Sequence, residues 1–326
     1  MSQVKTIGVL TSGGDAPGMN AAIRAVVRAG LYYGFRVLGI RKGYEGLIHG
    51  DVHEMNARSV GDILHRGGTI LQTARSPQFK TQEGQKKAVS MANVFGIDAI
   101  VVIGGDGSYR GARELSNLGL NVMGIPGTID NDIASTDYTI GFDTALNTVQ
   151  DALDKIRDTA YSHERCSILE VMGRHAGYIA INVGISGGAE SVILPEKTQT
   201  LDIDKEVIKP IIEGRNRGKK HYIVIVAEGA EGKALEIENQ VTEKTGIEAR
   251  ATILGHIQRG GSPTVYDRVT ASIMGVRAVE ALKDNKRNRI ISMKKGNVVD
   301  IDINEALDMK KSLPEELVEI SKILSL

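Results

Sequence analysis

The chain has 326 residues, 41% of them apolar and 25% charged, with 40 Lys and Arg set against 40 Asp and Glu. That length exceeds what one hydrophobic core fills and suits two domains, while the ordinary composition excludes a disordered or fibrous chain. The charge balance, with 4% aromatics and no Trp, argues against a general nucleic-acid binder, which needs a basic face and stacking platforms.

The amino-terminal stretch MSQVKTIGVLT lacks a basic segment followed by an apolar core, and no apolar run approaches the roughly 18–20 residues that cross a bilayer. Neither secretion nor membrane insertion is expected. Cys166 is the only cysteine, which excludes an intrachain disulfide and a cysteine zinc cluster and fits the cytoplasm.

Short β-rich runs then recur along the chain: TIGVLT (6–11), RVLGI (36–40), DAIVVIGG (98–105), NVMGIPG (121–127), CSILEVMG (166–173), SVILPE (191–196) and HYIVIVAEG (221–229). Most are continuously apolar, as strands buried on both faces must be, and helical patterns lie between several of them. An α/β fold follows, with two lobes, each a mainly parallel sheet flanked by helices. In the first repeat of this plan, TIGVLT runs into SGGDAPG and then MNAAIRAVVRAG, which predicts a helix with Met19, Ile23, Val26 and Val27 on one stripe and Gly30 as its stop. A second copy is AIVVIGGDGSYRGARELSNLG, with a helix starting near Ser108. The basic stretch EGRNRGKKH (213–221) is read as a loop.

In parallel α/β sheets, ligands gather where strands end and helix amino termini offer free N–H groups. Both glycine turns meet that requirement for a phosphate, yet neither is GxxxxGK[ST] nor GxGxxG, so Walker-type NTPases and ordinary dinucleotide folds are not indicated. Asp106, inside the second turn, would repel a phosphate unless Mg²⁺ bridged them; a helix-capping carboxylate is the plainer alternative. GIPGTIDND (124–132) sets Asp130 and Asp132 two apart, which puts both carboxylates on one side if the chain is extended there. Such a pair yields a raised base or a site for cations, as phosphoryl transfer to an alcohol requires, although an Asx turn also explains DND.

Arginines in Gly- and His-flanked places could supply rigid forks for a phosphorylated acceptor: Arg75, Arg165, Arg174, Arg250 and Arg259, with His256 and Glu228 beside them. Arg24 and Arg28 lie i,i+4 on a helix, a like-charge pair costing roughly 0.2–0.5 kcal/mol without an anion, which hints at a second anion site. There is no HExxH and no Gly-x-Ser-x-Gly elbow, and His163 and His175 are read as structural.

The ordered motifs TSGGDAPGMNAAIR, IGGDGS, PGTIDND, IGFDTALNT, MGRHAG, VAEG and LGHIQRGGSP together resemble bacterial ATP-dependent 6-phosphofructokinases over nearly the whole chain. The resemblance implies transfer of the γ-phosphoryl of ATP to the 1-hydroxyl of fructose 6-phosphate. Asp130 would be the base, with Thr128, Asp132 and Arg174 completing the catalytic group and Asp106 holding Mg²⁺. Gly14, Tyr44, Arg75, Ser76, Gly105, Gly107 and Ser108 match the nucleotide site. Met172, Gly173, Arg174, Glu228, His256 and Arg259 match the sugar-phosphate site, to which Arg165 and Arg250 would come from a neighbouring subunit of a homotetramer. The pyrophosphate-using relatives carry Asp at the position of Gly107 and Lys at that of Gly127, so ATP is the expected donor.

An effector pocket for ADP or phosphoenolpyruvate is implied at Arg24, Arg28, Asp62, Arg157, Gly188, Glu190, Arg217, Lys219 and His221. Relatives often place an arginine where Ala57 stands, and weaker effector control is expected in consequence. The family also sets the expected lobes: 1–141 with about 258–308 for the nucleotide, and 142–257 with about 309–326 for the sugar phosphate. A different GGDG kinase, acting on NAD or a lipid, and a non-catalytic nucleotide or sugar-phosphate sensor are the alternatives.

Overall fold

Each apolar run becomes a strand in the computed structural model, which describes residues 4–230 and 233–325. In chain order the strands are β1 (Thr6–Ser12), β2 (Arg36–Ile40), β3 (Val52–Met55), β4 (Ala99–Gly104), β5 (Asn121–Pro126), β6 (Cys166–Val171), β7 (Ser191–Ile193), β8 (Tyr222–Ala227), β9 (Ala249–Ile253), β10 (Arg289–Lys294) and β11 (Asn297–Asp302). The helices are α1 (Met19–Tyr32), α2 (Gly43–His49), α3 (Gln82–Val94), α4 (Asp106–Asn117), α5 (Phe142–His163), α6 (Tyr178–Ser186), α7 (Lys209–Asn216), α8 (Lys233–Thr245), α9 (Val265–Lys283), α10 (Ile303–Asp308) and α11 (Glu315–Leu324). Among the described residues, no helix is long and apolar enough to cross a membrane.

The chain folds as two compact units. The first comprises the chain up to Ile129, Ile133–Thr144 and Arg259–Lys311; the second comprises Asp130–Asp132, Ala145–Gln258 and the chain from Ser312 onward. The chain passes between the units after Thr144, Gln258 and Lys311, and of the earlier residues Asp130–Asp132 alone are grouped with the second unit. In the first unit seven strands lie in the order β11-β10-β5-β4-β1-β2-β3, parallel through the middle and antiparallel at the two edges, β2 with β3 and β10 with β11. Leu10, Ile100, Val102 and Val122 point from this sheet into a core shared with Tyr44, Leu47, Tyr109 and Leu115 of α2 and α4. In the second unit β7-β8-β6-β9 are all parallel, and Ile168, Val224 and Val226 pack with Ile211 of α7 and Ile237 and Val241 of α8.

Several local expectations are corrected. Gly30 does not stop α1, which runs on to Tyr32. A methyl group there would lie 2.6 Å from Val37 Cγ2, so the glycine lets helix and strand approach. The helix after the second glycine turn begins at Asp106 rather than Ser108. Residues 191–196 leave the strand after Ile193, where Pro195 opens a 3₁₀ turn, and the stretch read as a loop at 213–221 is helical through Asn216. Among the added strands, β3, β9 and β11 are half-solvated sheet edges without a continuous apolar run, the pattern that period-based reading loses most easily.

Candidate active site

In the first unit the polar residues lie where β1, β4 and β5 end. A methyl group at Gly104 would meet the Ser12 carbonyl oxygen at 2.4 Å and Ser108 Oγ at 2.5 Å. Only a glycine lets these two strand ends close up and bring Gly13 against the Ser108 hydroxyl. Gly105 precedes α4 and Asp106 and Gly107 form its first turn, where unpaired N–H groups and the positive end of the dipole favour an anion. At Gly107 an added methyl group would meet nothing within 4 Å. Gly127, in contrast, is hemmed in by Ile103 and Met19, each 3.2 Å from where its Cβ would be, and cannot hold a lysine without displacing them.

Tyr44 closes the opposite side of this turn. Its hydroxyl donates to the Ser108 carbonyl (2.5 Å) and its ring stacks on Phe79, centroids 4.1 Å apart and planes within 4°. Burial pushes the Tyr44 hydroxyl far up, so it stays a donor. The Ser76 hydroxyl donates to Glu45 (2.5 Å) and accepts from the Phe79 amide (3.2 Å), and the first of these bonds holds the Glu45 carboxyl below its usual range. Arg75, next in the chain, is exposed. Arg259 lies over Gly14: a methyl group there would be 2.5 Å from its Nη1. Phe79 was not singled out by the sequence, because an aromatic four residues beyond LQTAR gives no sign of stacking until the loop is folded.

Asp106 is half exposed and its Oδ2 accepts from Arg110 Nε at 2.8 Å, one turn along α4. Among the described residues no cluster of three or more His, Cys, Asp or Glu could hold a metal. This donor set fits Mg²⁺ only as an ion that takes one protein carboxylate and draws its other ligands from phosphate and water.

In the second unit the residues again follow strand ends. Met172, Gly173 and Arg174 come directly after β6. The Met172 amide donates to the buried Gln258 side chain (3.0 Å), and the Arg174 amide donates to Glu228 (2.7 Å), which follows β8. Gly173 has φ 139° and its Cβ would lie 2.4 Å from the Ala176 carbonyl oxygen, so this turn requires glycine. Burial and the nearby Glu228 charge raise the Glu170 carboxyl. His256 lies exposed on the 3₁₀ turn after β9. His163 and His175, read as structural, are exposed as well.

Asp130 is 6% exposed and Asp132 is half-buried. Asn131 between them has φ 50°, so the segment is not extended and the two carboxylates do not share a side through strand alternation. Asn tolerates this left-handed turn where most residues are strained. Asp132 bears on Tyr178, whose hydroxyl is pushed up to about 12, first by burial and then by Glu196 and Asp132.

Arg165 and Arg250 lie together, but at the far end of β6. Arg165 Nε and Arg250 Nη2 both donate to Glu248 (2.8 and 2.6 Å), whose carboxyl they hold low. Arg165 precedes the strand that Met172 follows, and a six-residue strand is about 20 Å long. These arginines do not join the Met172–Arg174 turn of their own unit.

The phosphofructokinase family profile matches residues 6–282. The chain belongs to the phosphofructokinase family. It is 59% identical over 322 residues, 99% of its length and 100% of the relative's, to the ATP-dependent 6-phosphofructokinase of Clostridium novyi. To the protein of that name from Alkaliphilus metalliredigens it is 56% identical over 323 residues, again 99% and 100% of the two chains. Among solved structures, phosphofructokinase from Saccharomyces cerevisiae superposes with a TM-score of 0.88 at 35% identity; 98% of this chain is covered, and it spans 48% of the yeast chain. Family membership answers the alternative of an unrelated GGDG kinase.

Of the residues that the phosphofructokinase resemblance assigned to an effector, those of the second unit cluster. Lys219 pairs with the buried carboxylate of Glu190, and Arg157 donates to the Gly187 carbonyl beside Gly188. The His221 ring is lowered first by burial and then by Arg157, with Glu190 opposing. Arg217 lies at the carboxyl end of α7. In the first unit, burial and the like charge of Arg28 lower Arg24, as their helical spacing anticipates. Asp62 sits in a left-handed turn (φ 54°) 3.8 Å from His65. Next to Ala57, Arg58 is exposed and its amide is held by Asn56 (2.9 Å).

Proposed function

We propose that the chain transfers the γ-phosphoryl group of ATP to the 1-hydroxyl of fructose 6-phosphate, giving fructose 1,6-bisphosphate and ADP in the cytoplasm. The observation that carries this reading is the full-length identity to relatives named for that activity. Gly107 supports ATP as the donor: the open space at its Cβ, in the first turn of α4, leaves room for a nucleotide phosphate where an aspartate would crowd and repel it.

The first unit holds the nucleotide, with Gly14, Gly105, Gly107 and Ser108 letting phosphates reach the backbone, Tyr44 and Ser76 beside them, and Arg75 free to swing onto the transferred group. When bound, Mg²⁺ adds positive charge at the phosphate oxygens, with Asp106 as its protein carboxylate. In the second unit Arg174, Glu228, His256 and Met172 hold the sugar phosphate. Arg259, at the start of the last segment of the first unit, contributes a guanidinium fork. Asp130 accepts the proton of the attacking hydroxyl, and its burial keeps bulk water from screening it. Thr128 and Asp132 flank it along the chain.

The placement of Arg165 and Arg250 at the far end of β6 supports their service in another copy of the chain, and hence a homotetramer. The cluster of Arg157, Glu190, Lys219 and His221 supports an anionic effector such as ADP or phosphoenolpyruvate, acting weakly because Ala57 withholds a cation. In a mixture of ATP, Mg²⁺ and fructose 6-phosphate, ADP should form only when all three are present. Asp130→Ala should lower kcat by ~10²–10⁴, the usual size of a general-base effect, and near-normal turnover of that variant would remove Asp130 from its role.

A further inference from the structure

Asp267 is a carboxylate with 0% exposure in the first turn of α9. Thr264 caps that helix and accepts from the Asp267 amide at 3.3 Å. In a capping box an acid at this position turns back to the amide of the cap residue. Here the Thr264 amide donates instead to Thr144 Oγ1 (3.0 Å), and the Asp267 side chain reaches out to residues 138–144.

Its Oδ1 accepts from the Tyr138 hydroxyl (2.6 Å) and the Gly141 amide (2.7 Å), and its Oδ2 accepts from the amide and hydroxyl of Thr144 (2.9 and 2.5 Å). Two of these donors are amides at the start of α5, where the helix cannot satisfy them itself and its dipole favours an anion. Burial pushes the carboxyl up and the four bonds pull it back. Tyr138 is further held edge-on by Tyr266, 4.7 Å between centroids.

Tyr138 and Gly141 bracket Thr139 and Ile140, and those two residues carry the turn before Asp130. Thr139 Oγ1 donates to the Thr128 carbonyl (2.7 Å), the Thr128 amide donates to the Ile140 carbonyl (3.1 Å), and the Ile140 amide donates to Pro126 (2.9 Å). Gly127 and Ile140 form a parallel bridge. One buried carboxylate thus grips both sides of the segment to which Gly127 and Thr128 are bonded, two residues ahead of Asp130.

We infer that Asp267 is a positioning residue for the reaction: it fixes the 138–141 segment to which residues 126–128 are bonded, and so sets Thr128 and, two residues on along the chain, the start of the Asp130 turn. This rests on the function proposed above. Because the grip acts on placement of the reacting groups rather than on substrate contacts, its loss should lower kcat and leave KM little changed; misplacement by about 1 Å can cost as much as 10²-fold.

The test uses steady-state kinetics of the full chain with ATP, Mg²⁺ and fructose 6-phosphate, alongside the melting temperature. Asp267→Asn presents an NH₂ group to donors and should lower kcat by about tenfold or more, with both KM values within about twofold. Thr144→Val should lower kcat several-fold while Thr144→Ser, which keeps the hydroxyl, stays near wild type. Unchanged kcat in folded Asp267→Asn would overturn the inference, as would kcat loss that only follows the unfolded fraction. Should Asp267→Asn fail to fold, the Thr144 pair decides, and equal kcat for Val and Ser overturns the inference. A wild-type chain without turnover contradicts the functional reading instead. Hydrogen exchange at the 127–141 amides then tests the grip alone: about tenfold faster exchange in Thr144→Val than in Thr144→Ser supports it, and equal rates overturn it.

Discussion

Replacing Gly107 by Asp separates steric from electrostatic control of the phosphate donor. Nothing lies within 4 Å of the added Cβ, so the substitution has no overlap to relieve. In the first turn of α4 a carboxylate also gains about 0.3–1 kcal/mol from the helix dipole, which repulsion from neighbouring Asp106 offsets. The melting temperature should barely move. A bound nucleotide phosphate, however, would meet a new negative charge at close range. Two unit charges about 4 Å apart repel by ~1 kcal/mol in bulk water and ~4 kcal/mol near a protein surface. A midway value of about 2 kcal/mol corresponds to roughly a 30-fold loss in kcat/KM for ATP. Initial rates against ATP at saturating fructose 6-phosphate measure this directly. An unchanged kcat/KM in a folded variant would refute the assignment of this turn to the donor phosphates.

Two further outcomes concern stability. Gly30→Leu forces side-chain atoms into Val37, already 2.6 Å from the first added carbon, and should cost about 1–3 kcal/mol; chemical denaturation giving a wild-type midpoint would show that α1 and β2 have slack. His53 has an Nδ1 with no hydrogen-bond partner among the described residues, and burial, then Arg41, lowers its ring below its ordinary value. The unfolded chain therefore takes up the proton first, so this group's contribution is complete above about pH 6.5 and is lost as pH falls through and below that value. His53→Leu should flatten the acid limb of the stability curve, and an unaltered slope would contradict it.

The parts of the site that depend on the backbone were legible in the sequence. Gly13, Gly104 and Gly173 stand where a side chain would strike a carbonyl or hydroxyl, or force an unfavourable φ, and such positions leave glycine in the sequence whatever the rest of the chain does. Continuous apolar runs marked the central strands for the same reason: burial on both faces tolerates little else. Contacts across long sequence separations left no mark. Nothing local to the sequence sets Asp267 apart from other acids until residues 138–144, more than 120 positions earlier, fold onto it, and nothing local shows that the Gln258 side chain meets the Met172 amide. Gly30 was misread because a helix stop and a close helix–strand approach both select glycine. The IDND spacing puts both carboxylates on one side only if the chain is extended there, and nothing in the spacing announces that Asn131 turns left-handed.

The central claim is that this glycine-lined turn passes a phosphoryl group from ATP, rather than pyrophosphate, to fructose 6-phosphate. Phosphorus NMR of the chain incubated with Mg²⁺ and fructose 6-phosphate, once with ATP and once with pyrophosphate, tests it most directly. A second sugar-phosphate resonance growing in step with ADP, and absent with pyrophosphate, is the predicted result. Product formed from pyrophosphate as fast as from ATP, or from neither donor, would contradict it.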